Sequence, residues 1–209
     1  MRRTGEDRRR RRAAGTGPGL EFAGCPGRSG RSTGAGLKVK LATAAKVLSL
    51  PRAVALRKRA RKAGCKVVFT NGCFDLLHAG HVAYLEAARR QGDILIVGVN
   101  SDSSVRRIKG KGRPVLPEED RAEILAALAA VDVVVIFGED TPAVIIESLQ
   151  PDVLAKGADW AAGSIVGRED VLAAGGRVVR VPLRPGISTS SIIRKVVRAA
   201  RSQGRKPPR

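Results

Sequence analysis

Lys66-Val67-Val68-Phe69-Thr70-Asn71-Gly72-Cys73-Phe74-Asp75-Leu76-Leu77-His78-Ala79-Gly80-His81 is the stretch that decides the fold. An apolar run ends in a polar turn, and two histidines three residues apart then open an amphipathic segment. Strand, turn and helix in that order make the first half of a βαβ unit. The first N–H groups of a helix lack partners within it, and its dipole favours anions there. Imidazoles at i and i+3 therefore suit the oxygens of a polyphosphate. Gly80 keeps the backbone bare where phosphate would approach. The competing reading is a metal pair, but zinc would want a third nitrogen or sulfur ligand, and the chain has no other histidine.

Outward from this unit the strand–helix alternation continues. Ser49 caps, and Pro51 starts, a helix that Gly64 stops. The pattern predicts strand 66–70, helix 79–91, strand 93–99, a long loop, helix 117–130 and strand 132–137. Thr141 then caps a helix begun by Pro142 and running to 149. Strand 152–156, a loop through Trp160, a short helix near 168–174, strand 177–182 and a last helix from Ser188 complete the chain. Short strands of Val, Ile and Leu on both faces suit a buried parallel sheet covered by helices, a doubly wound α/β sandwich. Its ligands bind beyond the carboxyl ends of the strands, where strand order reverses.

The formal charge of +20 is unevenly spread. Residues 64–193 hold 14 basic and 16 acidic side chains, residues 38–63 hold nine basic and none acidic, and residues 194–209 hold seven and none. With only six Phe, Trp and Tyr there is little material for stacking bases, so nucleic acid is not the expected partner. Gly, Arg, Ser and Thr dominate the start of the chain, which predicts a disordered basic extension at 1–44, a single domain at 45–200 and a basic tail at 201–209. Arg8 to Arg12 lack the apolar stretch of a secretory signal, and no apolar run approaches the ~18–20 residues that cross a membrane. Three cysteines without a CxxC pair argue against a disulfide framework and fit the cytoplasm.

Several polar clusters follow strands. Lys109-Gly110-Lys111-Gly112-Arg113-Pro114 joins three cations with two glycines that let the loop bend onto a ligand, and Lys109 or Lys111 would neutralise charge on a transferred phosphoryl group. The acids Glu118 to Asp120 suit the first turn of a helix, and Arg121 is within possible reach of phosphate. Ser188-Thr189-Ser190-Ser191 opens the final helix, with Ser188 as N-cap or as part of a second anion site. Lys156 and Asp159 read equally as a buried ion pair or as a sugar or base surface beside Trp160. Asp75 reads as a loop-fixing carboxylate, and Cys73 as a small buried residue.

The motif FTNGCFDLLHAGH resembles the HxGH box of the nucleotidylyltransferase superfamily. FTNGCFDLLHAGHVAYLEAAR, GVNSDSSVRRIKGKGRP, PEEDR, VDVVVIFGEDTP and LAKGADW make residues 46–200 similar to the adenylyltransferases that form ADP-heptose from D-glycero-β-D-manno-heptose 1-phosphate. Related cytidylyltransferases acting on glycerol 3-phosphate show YGTFD and RTEGIST where this chain has NGCFD and PLRPGIST. Ala158 departs from the family's usual glycine, and without the sugar-kinase domain of bifunctional members a separate kinase is expected. The resemblance implies a Rossmann-like five-stranded parallel sheet, Mg²⁺ with ATP, a sugar 1-phosphate and a homodimer. It implies His78, His81, Lys109 and Lys111 as catalytic. Thr70, Asn71, Gly72, Phe74, Asp75, Gly80, Asp102, Arg113, Ser188, Thr189 and Ser190 would surround the nucleotide, and Asn100, Lys156, Asp159 and Trp160 the sugar. The non-enzyme alternative is a nucleotide-binding protein whose basic flanks bind RNA.

Overall fold

The computed structural model describes residues 43–202. All but the innermost two residues of the expected extension and of the expected tail lie outside that range. Thr43 and Ala44 instead open a short helix, α1 (Thr43–Lys46), and the last helix runs on to Ser202.

Five parallel strands, β1 (Val67–Gly72), β2 (Ile94–Asn100), β3 (Val133–Phe137), β4 (Val153–Gly157) and β5 (Arg177–Val181), lie in the order β3-β2-β1-β4-β5. Side chains alternate between the faces, and both faces are apolar. Val67 and Phe69 pack with Ile94, Ile96, Val133 and Val135 beneath α2 (Leu50–Lys62), α6 (Ala143–Leu149) and α7 (Arg168–Ala173). Val68, Leu95, Val97 and Val99 pack on the other side beneath α3 (Ala79–Arg89) and α5 (Glu118–Ala127). That is the double covering a parallel sheet requires. β1 pairs with β2 on one side and β4 on the other, so the chain reverses direction across the sheet there, and the crevice opens above their carboxyl ends.

At the opposite end Arg57 pins α2. It donates to the Gln150 carbonyl at 3.0 Å and to Asp152 at 2.9 Å, while the other oxygen of Asp152 accepts from Val67 N–H. No helix among the described residues is long and apolar enough to cross a membrane.

The structure corrects several local expectations. The long loop after the second strand holds α4 (Asp102–Lys109), capped by Ser101, whose hydroxyl accepts from Ser104 N–H, and ended by Gly110 at φ +87°. Its eight residues carry only Val105 and Ile108 as apolar members, too few to show a helical period. Ser49 stands at the start of α2 without a side-chain capping bond, and α6 begins one residue late, with Pro142 rather than Thr141 at its N-cap. Cys65 is nearly fully buried.

Candidate active site

β1 ends in Asn71 and Gly72, and the chain then turns sharply at Phe74, whose φ of +45° is a left-handed conformation rare for a bulky residue. The turn folds the Phe74 ring inward, edge-on to His81 with ring centroids 5.3 Å apart. His78 is the N-cap of α3 and His81 lies in its first turn. Their rings stack at 3.9 Å with 18° between planes. A Cβ on Gly80 would stand 3.0 Å from the His78 ring and 3.1 Å from Ile187, so the glycine makes room first for the histidine rather than for phosphate directly.

Burial lowers the pKa of both histidines, that of His81 to about 4 with help from its neighbour His78, so both are neutral donors or acceptors at neutral pH. The Nδ1 atom of each is buried without a hydrogen-bond partner. Two orphaned polar atoms in a cavity wall mark a place built for a ligand.

The cavity has a volume of about 560 Å³. Its wall includes Asn71, Gly72, Phe74, Asp75, His78, Gly80, His81, Asn100, Lys109, Arg113, Lys156, Asp159, Trp160, Ser188, Thr189 and Ser190, sixteen of the expected residues from every strand end but that of β3. Beside the start of α3 stands the first turn of α8 (Thr189–Ser202), where Ile187 lies against Gly80, Thr189 Oγ1 donates to the Leu76 carbonyl, and Ser188 to Ser190 join the cavity wall. Ser188 does cap that helix. Its hydroxyl accepts from Ser191 N–H at 3.1 Å, and Ser188 N–H in turn donates to the Ser191 hydroxyl at 2.9 Å.

Three expected residues do not line the cavity. Thr70 is buried beneath it, its hydroxyl 2.6 Å from that of Tyr84, which in turn donates to the Ala155 carbonyl. Burial pushes Tyr84 up to about 12, so it stays a phenol and ties β1 to β4. Asp102 turns instead to Arg121, and Lys111 stands exposed in the turn after α4. Asn100 lines the cavity, yet its amide is spent on Ser104 and the Glu139 carbonyl. Asp75 is the loop-fixing carboxylate expected, holding Arg113 Nε, Val115 N–H and Leu116 N–H. Lys156 makes no ion pair with Asp159; its ammonium donates to Asn71, and burial lowers its pKa to about 8. Cys73 lines the cavity beside Lys109, Arg121 and Arg113, but burial raises its pKa and keeps it a thiol.

Arg121 is the residue whose part sequence reading missed. Its side chain is fully buried, and it donates to Leu116 and Cys73 carbonyls and to Asp102, joining three loops around the site. An Arg at the end of an acidic helical turn gave no sign of burial. Nothing in the sequence marks Tyr84 on α3 for its bonds to Thr70 and the Ala155 carbonyl.

A switch-point crevice walled by a paired-histidine helix start and an adjoining hydroxyl-rich helix start defines a domain of the HxGH nucleotidylyltransferase type. The chain belongs to the cytidylyltransferase-like family, whose model matches residues 69–195. It is 52% identical over 155 residues to the bifunctional protein HldE of Methylobacillus flagellatus, covering 74% of this chain and 32% of that one. It is 58% identical over 139 residues to the HldE of Citrifermentans bemidjiense, covering 66% and 28%. The chain thus spans about a third of the length of these curated relatives. It is also similar to the crystal structure of a lipopolysaccharide core biosynthesis protein from Thermoplasma volcanium, with a TM-score of 0.50 and 26% identity, covering 59% of this chain and all of the other.

Proposed function

We propose that this chain, acting in the cytoplasm as a homodimer, transfers AMP from ATP to D-glycero-β-D-manno-heptose 1-phosphate, releasing pyrophosphate and ADP-heptose. The observation that carries nucleotidyl transfer is that the unpartnered histidine nitrogens on α3 and the capped start of α8 stand together in the wall of one cavity. The heptose acceptor rests on the resemblance of residues 46–200 and on the relatives named HldE.

A sugar 1-phosphate carries an ionised oxygen already, so no strong base is needed. That oxygen forms a bond to the α-phosphorus in line with the breaking bond to the β-phosphate oxygen, which leaves with its electron pair as pyrophosphate. The work left to the protein is positioning and charge stabilisation. Neutral His78 and His81 hydrogen-bond the triphosphate, the two helix starts point N–H groups at it, and Lys109 and Arg113 supply positive charge. Negative phosphate beside the imidazoles acts against their burial and raises their affinity for protons. Lys156 and Asn71, deep between β1 and β4, are the polar floor for the acceptor, with Asp159 and Trp160 at its rim.

No group of three or more His, Cys, Asp or Glu among the described residues could cage a metal. The donor set fits Mg²⁺ carried in on phosphate oxygens, with Asp159 as a carboxylate within the cavity. Bound in that way it would offset the negative charge of the triphosphate.

Pyrophosphate release with ATP or CTP, each combined with the heptose 1-phosphate or glycerol 3-phosphate, tests the reading. ATP with the heptose phosphate should exceed every other combination by orders of magnitude in kcat/KM, because sugar-binding polar groups reject an acceptor that leaves them unpaired. His81→Ala should lower kcat by about 10²-fold, the scale of losing one preorganised donor. Preference for CTP with glycerol 3-phosphate would replace the substrate assignment. Turnover of none of the four pairs would defeat the reading.

A further inference from the structure

Four lysines and arginines line the cavity, and the proposed function uses three of them. Arg113 is held by Asp75, Lys156 donates to Asn71, and Lys109 ends α4. The fourth is Arg184, on the loop between β5 and α8, to which the site has so far given no task. It is exposed, and its guanidinium forms no ion pair or hydrogen bond with another described residue, Asp159 in the same wall included. A planar cation with five unused donors in a cavity wall is free to meet a ligand.

The loop that carries it is fixed at both ends. Ile187 lies against Gly80, where a Cβ would meet it at 3.1 Å, so this end abuts the histidine pair. Leu183 lies against Gly157 at the end of β4, where a Cβ would meet its methyl groups at 3.3 Å. Pro182 and Pro185 restrict the backbone, and Gly186 turns it at φ +78°. From Leu183 to Ile187 the chain reaches at most about 14 Å, which leaves room for a ribose and a base beyond the phosphates. Arg184, next to Leu183, stands at the end away from the histidines. The turn from Gly157 to Trp160 is tied to that same end. Ala158 N–H donates to the Val181 carbonyl at 2.9 Å, and Arg180 donates to the Ala158 carbonyl. This turn carries Trp160, 50% exposed and also in the cavity wall.

We infer that Arg184 and Trp160 seat the base of the nucleotide, the guanidinium plane stacked on it, and that Arg184 sharpens the choice of a purine over a pyrimidine. This rests on the proposed nucleotidyl transfer and adds to it the residue that meets the base. The phosphates are held at the Ile187 end of the loop, by the histidines and the two helix starts. The acceptor phosphate has the buried floor of Lys156 and Asn71. The exposed rim between these places is left for the one flat, uncharged part of the substrates. A guanidinium is planar, delocalised and weakly hydrated, so it stacks on an aromatic ring where an ammonium does so poorly. The two fused rings of a purine cover more of it than the single ring of a pyrimidine. At an exposed rim such a contact is worth about two- to fivefold in affinity, so it tunes selection of the base rather than creating it.

Arg184→Ala and Arg184→Lys in the full chain, titrated with a non-hydrolysable ATP analogue and with inorganic tripolyphosphate, test the seat without turnover. Residue 184 is exposed, so both variants should keep a native circular dichroism spectrum. Both should raise the Kd of the analogue, by up to about fivefold, and leave that of tripolyphosphate, which has no base, near the wild-type value. Arg184→Lys keeps the charge and loses the plane, so it should fall with Arg184→Ala. Trp160 is the chain's single tryptophan, and its fluorescence should be quenched by the analogue and not by tripolyphosphate. In turnover the KM for ATP should rise, the KM for the acceptor should stay near the wild-type value, and the ratio of kcat/KM for ATP over CTP should fall. Equal weakening of both ligands, restored by Arg184→Lys, overturns the seat and gives Arg184 to the phosphates. So does an unchanged Kd for the analogue in both variants, or a change confined to the acceptor. Equal quenching by tripolyphosphate removes Trp160 from the seat. Weakened binding of the analogue alone, in a wild type and variants that release no pyrophosphate with any acceptor, upholds the seat and removes the functional reading.

Discussion

Gly80 sits where two demands meet. A helical glycine costs about 1 kcal/mol relative to alanine, so helix propensity alone favours replacing it. Its Cβ, however, would press on the His78 ring and on Ile187 at 3.0 and 3.1 Å, and one of them has to give. Gly80→Ala should leave the melting temperature unchanged or slightly higher while kcat falls tenfold or more as His78 leaves its stack with His81. An unchanged kcat would show that the stacked arrangement is not the working one. Lys156 makes a prediction in pH. Burial lowers its pKa to about 8, so in the free enzyme the ammonium gives way to the amine above that pH. The kcat/KM for the acceptor phosphate, which reports the free enzyme, should therefore decline as pH rises through 8, and Lys156→Arg should flatten the profile. The sign of the stability effect is opposite. With the folded pKa below the unfolded one, the native state sheds its proton first, and this residue's cost to folding fades between pH 8 and 10.5. Alkaline loss of turnover from Lys156 would thus appear without unfolding from the same group.

Among the elements, α4 and α5 carry a device that periodicity could not reveal. Arg121 on α5 reaches the β1–α3 turn at Cys73, the loop at Leu116 and the start of α4 at Asp102, while Glu118 accepts from Asp102 N–H at 2.6 Å. These bonds hold the segment that bears Lys109 and Arg113 against the histidine turn. Arg121→Met should cost about 3 kcal/mol of stability, because it leaves a partly buried carboxylate and two carbonyls without their donor. Arg121→Lys keeps the charge but cannot fork to all three acceptors. It should raise the KM for ATP several-fold with a smaller loss in denaturant midpoint, and an unaltered KM would confine Arg121 to a purely structural part. The strands, α2, α3, α5 and α8 were legible within a few residues, because each has apolar spacing plus a punctuating Ser, Pro or Gly. α4 was not, since a short polar helix held by side-chain bonds from distant residues has no local signature. The same holds for the Glu139 carbonyl that Asn100 reaches and for the Arg113–Asp75 and Lys156–Asn71 pairs, each joining residues far apart in sequence that only the folded sheet brings near.

At the scale of the molecule, alternating strands and helices were enough for a doubly wound sheet, but the order β3-β2-β1-β4-β5 follows only from where each crossover lands. That order has a thermodynamic consequence. The cavity is walled by the ends of β1, β2 and β4 together with the starts of α3 and α8, so a nucleotide bound there touches both halves of the sheet and nothing that persists in the unfolded chain. A ligand that binds only the folded state at 100 times its Kd contributes about 2.7 kcal/mol. For a domain of this size that corresponds to a rise of roughly 5–10 °C in melting temperature. A non-hydrolysable ATP analogue with Mg²⁺ should produce that rise in the wild type, and a much smaller one in His81→Ala at the same concentration. Mg²⁺ alone should produce almost none, because no group of described residues is built to cage it. A shift with Mg²⁺ alone that His81→Ala abolishes would turn the histidine pair back into a metal site. Equal shifts with the analogue in both proteins would move the nucleotide away from the start of α3.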